Sequence, residues 1–397
     1  MNSWNELLKQ LCVLVGRLLL ASAFLFSGIT KAVDPWGTAY KIQDYLIYFR
    51  MDGVVPDWLY PFMAMALAGM EFYIGLCLVW GIRRYFTVIV SLFLLSFMTP
   101  LTFWLAVSDA ISDCGCFGDA IQLSNWQTFG KNVFLLGCAL LLWKGRHHTV
   151  RFISPNTQWL ISCYGVLFVL ALMGHCIYHL PIADFRPYRI GNDIAALMEE
   201  APEGKQAAEY ETRFILEKEG KRQEFTLENY PDSTWQFVDS YAVQVKEGYE
   251  PPISDFSLER LSDGEDITAA VLADEGYTFL LVANDLSTAQ QGTVDLVNEL
   301  YDYCLKYGYR FYAVTASGDE AIKQCRYDTG AAYEFCRMDA IPLKTMVRSN
   351  PGLVLLRQGK VLNKWGCNDF PTEEDLVAPI ERTSLAVLLP DAPYEQL

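Results

Sequence analysis

The chain has 397 residues, 52% of them apolar and only 20% charged, which is greasy for a soluble protein and long enough for two or three domains. Residues 1–180 hold 11 Lys and Arg against 9 Asp and Glu, and residues 181–397 hold 20 against 38, so the two parts carry +2 and −18 of a total of −16. An acidic second half with no basic patch anywhere excludes nucleic acid as a partner.

The first half contains five apolar runs, Leu11 to Ile29, Leu59 to Trp80, Phe86 to Val107, Trp126 to Trp143 and Trp159 to Leu180. Each approaches the roughly 20 residues a helix needs to cross a bilayer, so the lipid bilayer is the first expected partner. Ala21-Ser22-Ala23 has the form of a signal-peptide cleavage site, but apolar residues continue to Ile29, which reads as an uncleaved helix.

Short loops rich in Lys and Arg stay on the cytoplasmic side. Arg83 and Arg84 lie between runs two and three, and Lys144, Arg146 and Arg151 between runs four and five. The loop Ser108 to Asn125 holds Asp109, Asp113 and Asp119 and no Lys or Arg. The expected topology is multi-pass in a bacterial inner membrane, with the N-terminus cytoplasmic and both the acidic loop and everything after Leu180 outside, in the periplasm. Lys31, Lys41 and Arg50 read as first-outer-loop residues and count against the pattern.

The acidic loop contains Cys114-Gly115-Cys116. Cysteines one residue apart can close a ring, with Gly115 permitting the backbone the ring requires. Loop closure assigns a three-residue ring only about 1.6 kcal/mol, so it is a poor staple and a better exchanging bridge. An oxidising outer space is also where disulfides persist. Asp113 and Asp119 would raise the thiol pKa values, so a reactive thiolate needs help from something the sequence does not show. Three readings of the pair stay open: a redox bridge, a metal or ligand site completed by Asp113 or Asp119, and inert paired thiols.

Glu71 is a carboxylate within an apolar run; it reads either as a proton-handling group near a redox centre or as a packing residue hydrogen-bonded to a serine or threonine. His175 and His179 share a helical face at the end of the fifth run and read as interfacial polar residues. Cys12, Cys77, Cys138, Cys163 and Cys176 lie in apolar runs and read as small packing residues.

The segment Gly16 to Gly37, GRLLLASAFLFSGITKAVDPWG, carries Arg17, Ser27, Gly28, Lys31, Asp34 and Pro35 and resembles the opening of the DoxX and MauE families of bacterial membrane proteins. Met70 to Gly81, with Glu71 and Gly75, resembles their second helix, and CGCFGD is close to the cysteine motif of the MauE branch. That resemblance covers about the first 145 residues and implies disulfide chemistry at Cys114 and Cys116, with Glu71 at the intramembrane acid of the family; no other residue points to methylamine. By analogy with membrane thiol oxidases, a membrane quinone is the expected electron acceptor, although no binding motif for it is visible.

After Leu180 the composition turns polar. Glu199 to Gly204 is a linker, and Glu211 to Tyr230 reads as a β-hairpin around Gly220. From Pro251 the pattern resembles TlpA-like and peroxiredoxin-like thioredoxin folds: an opening hairpin, the strands YTFLLVAND and YRFYAVTAS around a helix Thr288 to Tyr307, and a closing hairpin Ser349 to Trp365. In that resemblance Pro351 takes the place of the cis-proline that flanks the substrate. The position of the family's CxxC reads Asn284 to Gln291, without cysteine. Cys304, Cys325, Cys336 and Cys367 remain, with Cys325 and Cys336 the nearest candidates for a disulfide.

The expected fold class is a membrane α-helical bundle of about four helices plus a fifth connecting helix, followed by a soluble α/β thioredoxin-like domain with a preceding β-hairpin region. The expected domains are 1–145, a DoxX/MauE-like transmembrane domain; 146–182, the fifth helix; 183–250, linker and hairpin; and 251–397, the thioredoxin-like domain. The expected function is disulfide exchange with periplasmic thiol-containing client proteins. The alternative is a non-catalytic envelope scaffold or client-binding protein with a degenerate thioredoxin-like domain.

Overall fold

A computed structural model describes residues 2–49, 51, 54–108, 115–148, 151–199, 209–218, 221–226, 229, 236–246, 248–249 and 251–376. Cys114, Asp113, Arg50, most of the 199–204 linker and the hairpin turn at Gly220 lie outside the described residues. The chain divides into two compact units, one formed by Met1–Arg186 with Val347–Gly352 and Trp365–Phe370, the other by Pro187–Met346, Leu353–Lys364 and Pro371–Leu397.

The first unit is helical. Helix α1 (Asn2–Val33) runs without a break through Ala21-Ser22-Ala23. It ends at Asp34, whose carboxylate caps α2 (Pro35–Tyr48) by accepting from the Gly37 N–H at 2.9 Å, with Pro35 in the first helical position. The Asp-Pro of the sequence motif is thus a helix start. Four further helices follow: α3 (Tyr60–Trp80), α4 (Arg84–Ser108), α5 (Asn125–Lys144) and α6 (Gln158–Tyr178).

Helices α1 and α3 approach closely because Gly28 faces Phe72. A Cβ at Gly28 would lie 2.4 Å from the Phe72 backbone nitrogen. Arg17 is 1% exposed and donates to Leu78 O and Val79 O at 2.5 and 2.7 Å, satisfying carbonyls of the last turn of α3. One core cluster joins α1, α3, α4 and α5 through Leu20, Phe24, Ile74, Leu78, Leu95 and Leu135. A second joins α1, α3 and α6 through Ala32, Phe72, Val169 and Met173.

Among the described residues, four helices are long and apolar enough to cross a membrane, within Glu6–Val33, Asp57–Trp80, Arg84–Ser108 and Pro155–Tyr178. Helix α5 is 20 residues long but carries Asn125, Gln127, Lys131 and Asn132 in its first two turns. Asn125 and Asn132 are buried, and Asn132 donates to Thr102 Oγ1 at 3.2 Å. The polar residues that make this run less apolar serve contacts inside the unit. Meanwhile Phe93 (75% exposed), Phe97 (63%) and Leu167 (63%) project from the helical surface, an apolar exterior suited to lipid tails.

The second unit opens with α7 (Ile194–Met198) and a three-stranded sheet, β1 (Glu209–Lys218), β2 (Lys221–Thr226) and β3 (Gln236–Lys246), in the order β2-β1-β3. Both pairings are antiparallel. The expected hairpin is present, and β3 adds a strand that the sequence pattern did not reveal.

The second sheet has the order β4-β7-β6-β5-β8-β9. Its strands are β4 (Glu259–Arg260), β5 (Thr278–Ala283), β6 (Arg310–Thr315), β7 (Glu334–Arg337), β8 (Gly352–Arg357) and β9 (Lys360–Gly366). Helices α8 (Thr268–Leu272), α9 (Val294–Tyr307), α10 (Asp319–Thr329) and α11 (Ala340–Met346) connect them. Strands β5 and β6 are parallel across α9, as the continuous apolar runs require, and every residue of β5 is buried. Helix α9 starts six residues later than the sequence predicted. Residues 284–290 form a loop in which Leu286 N–H donates to Ser317 Oγ at 3.0 Å and Ser287 N–H to Asp285 Oδ1 at 2.9 Å. Such local bonds compete with helix formation. The result is a mixed sheet, with the Asn350-Pro351 bond cis at the head of β8.

Candidate functional site

Ser27 and Lys31 stand four residues apart on α1, so both side chains leave the same face. That face meets Glu71 in the middle of α3. Lys31 Nζ lies 2.7 Å from Glu71 Oε2, 2.6 Å from Ser27 Oγ and 2.8 Å from the backbone carbonyl of Cys116. An ammonium has three N–H donors, and here three acceptors are in place. The Ser27 hydroxyl accepts from Lys31 and has its single proton to give to Glu71 Oε2 at 2.7 Å or Cys116 O at 2.5 Å. Burying either charge alone costs several kcal/mol, and pairing with full hydrogen bonding offsets that cost.

The cysteine loop therefore rests on a buried ion pair through a main-chain carbonyl. Gly115 (φ 64°) and Gly118 (φ 55°) occupy the left-handed region, and the Gly118 N–H donates to Gly115 O at 3.1 Å. This tight turn leaves Cys116 half-buried. Phe117 packs edge-on against Phe26 with ring centroids 5.2 Å apart, and Lys131 Nζ sits 4.1 Å from the Phe117 ring centroid.

Asp119 closes the motif and belongs to a second charged group within the same unit. Arg348 donates through Nε to both Asp34 oxygens at 3.1 and 3.0 Å, and its Nη2 lies 2.9 Å from Asp34 Oδ2 and 3.4 Å from Asp119 Oδ2. Its guanidinium also lies over Tyr40, 5.5 Å from the ring centroid. Burial pushes the Asp34 carboxyl upward, but the charges of Arg348 and Arg186 and the hydrogen bonds from Arg348 and Gly37 outweigh it and hold the group below its ordinary value. Ser349 Oγ donates to Pro351 O at 2.7 Å and accepts from the Cys367 N–H at 2.8 Å.

Beside Cys116 is a cavity of ≈180 Å³. Ser27, Lys31, Glu71 and Cys116 belong to its polar part, as do Lys41 and Lys131, while Leu94, Leu95, Met98, Leu101 and Leu135 are among its apolar walls.

Glu71 and Cys116 thus converge, whereas Cys114 falls outside the described residues. The serine partner considered for Glu71 is Ser27, and the lysine is an addition that changes the chemistry. Lys31 is a correction to the loop assignment: it lies inside α1 with its side chain only 6% exposed, because Glu71 neutralises it there. Lys41 likewise sits on α2 and lines the cavity. The spacing of Ser27 and Lys31, read together with an intramembrane acid, was the available signal. Nothing local in the sequence marked Lys131 or Arg348.

Cys325 on α10 is half-buried and Cys336 on β7 is fully buried; the structure holds them as separate thiols. Burial pushes both upward, Cys336 to about 12, and Cys304 on α9 also to about 12. Cys77 and Cys176 pack inside the helical unit as expected, but Cys12 and Cys163 lie on its exposed surface. His175 and His179 stack with centroids 4.8 Å apart, and His179 Nδ1 lies 2.6 Å from Asp369 Oδ1.

Residues 210–247, which contain the three-stranded sheet, match a family model described only as a domain of unknown function. The C-terminal part is similar to solved thioredoxin-like chains. One is the C-terminal domain of a Bacteroides thetaiotaomicron chain described as a thiol-disulfide oxidoreductase, 19% identical over 32% of this chain and 90% of that one, with a TM-score of 0.27. Another is a Neisseria meningitidis chain described as a thioredoxin, 20% identical over 36% and 94%, with a TM-score of 0.28. A third is the thioredoxin domain of a thiol-disulfide oxidoreductase from Bacteroides vulgatus, 13% identical over 32% and 91%, with a TM-score of 0.26. No curated protein matches the chain. Residues 9–144, about a third of the chain and the part that builds the Lys31, Glu71 and Cys116 cluster, match the family model of methylamine utilisation protein MauE.

Proposed function

We propose that the chain is a membrane-bound thiol-disulfide redox protein of the bacterial envelope, exchanging disulfides through Cys114 and Cys116. The observation that carries this reading is the attachment of the Cys116 carbonyl to Lys31 and Ser27 above the Glu71 carboxylate. A redox loop has to present its sulfurs in a fixed place, and this attachment fixes the loop backbone next to a cavity.

In the exchange, one thiolate of the pair attacks a client disulfide, a mixed disulfide forms, and the other thiolate displaces the client thiol. The reverse sequence oxidises a client. Glu71 is the acid and base available to the loop, and Pro351 is the client-binding position implied by the thioredoxin-like domain. The arginines and lysines at residues 83, 84, 144, 146 and 151 support a topology with the N-terminus cytoplasmic, and with the cysteine loop and the C-terminal domain facing periplasmic thiol-containing clients.

The test is thiol trapping of Cys114 and Cys116 in isolated membranes equilibrated across glutathione redox buffers. A bridge that forms and opens reversibly supports the reading. A pair that stays in one state at every poise, while a control disulfide protein responds, overturns it. The cysteine-free segment Asn284 to Gln291 favours a second reading, a non-catalytic scaffold, for which serine at both Cys114 and Cys116 would leave the phenotype unchanged at normal protein level.

A further inference from the structure

Closing two thiols into a disulfide releases two electrons and two protons, which need an acceptor. The ≈180 Å³ cavity beside Cys116 has the properties of a site for one. Its volume is close to that of an engineered cavity of about 150 Å³ that takes benzene, so a single substituted ring fits. Its walls are apolar at Leu94, Leu95, Met98, Leu101 and Leu135. Among the described residues, Lys31, Lys41 and Lys131 line it together with Glu71, and lysine ammonium groups stabilise negative charge growing on a ligand oxygen. Because α1, α3 and α4 supply much of the lining and are each long and apolar enough to cross a membrane, the cavity suits a ligand that partitions into lipid.

We propose that this cavity binds the ring of a lipid-soluble quinone, with a ring carbonyl on the polar side of the cavity, and that the quinone oxidises the Cys114 and Cys116 dithiol. The inference rests on reading that pair as redox-active. Two S–H bonds break and one S–S bond forms. The two electrons pass to the quinone ring, and the two thiol protons end on its two oxygens, giving the quinol.

The experiment uses the purified full-length chain in detergent, reduced and freed of reductant, then mixed with decylubiquinone, whose fully substituted ring resists thiol addition. The double serine variant at Cys114 and Cys116 sets the blank for the other cysteines. One quinone reduced per chain is expected, and an azido-ubiquinone photolabel should attach to peptides of α1, α3 or α4. Leu94→Trp and Met98→Trp should lower the ratio of the quinone rate to each variant's own glutathione-disulfide rate by about tenfold, the effect of losing about 1.4 kcal/mol of binding. If glutathione disulfide oxidises the wild-type pair and decylubiquinone does not, the quinone is wrong and the exchange reading survives. An unchanged ratio in both variants, or a photolabel confined to other segments, removes the cavity as the site. A pair that neither oxidant closes overturns both readings together.

Discussion

Lys31 Nζ lies 2.7 Å from Glu71 Oε2, and both side chains are less than a tenth exposed. Removing one partner of such a pair strands the other charge, a loss of about 3–5 kcal/mol, whereas replacing both by apolar groups is often neutral. Lys31→Met should therefore lower the midpoint of thermal unfolding in detergent more than Lys31→Met combined with Glu71→Leu. Equal losses in the single and double variants would show that the pair is not coupled.

The Asp34 carboxyl is held below its ordinary value, so between its unfolded value of about 3.9 and its folded value the unfolded chain binds more protons. Its contribution to stability is fully present above the unfolded value and is lost as pH falls through the folded one. Asp34→Asn keeps a side-chain oxygen to cap α2 and removes the charge together with one acceptor for Arg348. The stability gap between wild type and this variant should be constant near pH 7 and shrink at acid pH. A gap that widens on acidification would contradict the Arg348 pairing.

Gly28 admits no side chain without moving Phe72. Gly28→Ala should cost about 1–3 kcal/mol as an overpacked contact, and Gly28→Val more. Retained monodispersity and an unchanged unfolding midpoint for both variants would show that α1 and α3 are not packed this closely.

Cys304 and Cys336 are each fully buried and pushed up to about 12, against an ordinary thiol value of about 8.5. At neutral pH their thiolate fraction drops roughly a thousandfold, before steric protection is counted. Native protein treated with N-ethylmaleimide and digested should show both unmodified, and both should label after denaturation. The intact mass without reductant should also lack a Cys325 to Cys336 bridge.

The parts of the fold visible in sequence are those governed by near neighbours. Apolar length marked α1, α3, α4 and α6, and the Gln358-Gly359 turn between β8 and β9 follows from residues adjacent in the chain. Strand β3 was missed because its partner β1 lies across a long connection, and the start of α9 because loop residues 284–290 bond to Asp285 and Ser317 instead of continuing a helix.

The sequence by itself determined that the chain has an apolar helical part and an acidic mixed-sheet part, that Glu71 sits in an apolar helix, and that a paired-cysteine loop stands among acids. Composition and short-range periodicity carry that information. Only the tertiary structure decided that Lys31, placed by sequence in a loop, is buried against Glu71, and that the same ammonium meets the carbonyl of Cys116 across 85 residues of chain. A lysine is stable in such a place only when an acid and further acceptors arrive from other segments, so its position depends on how the helices pack and not on its own neighbours.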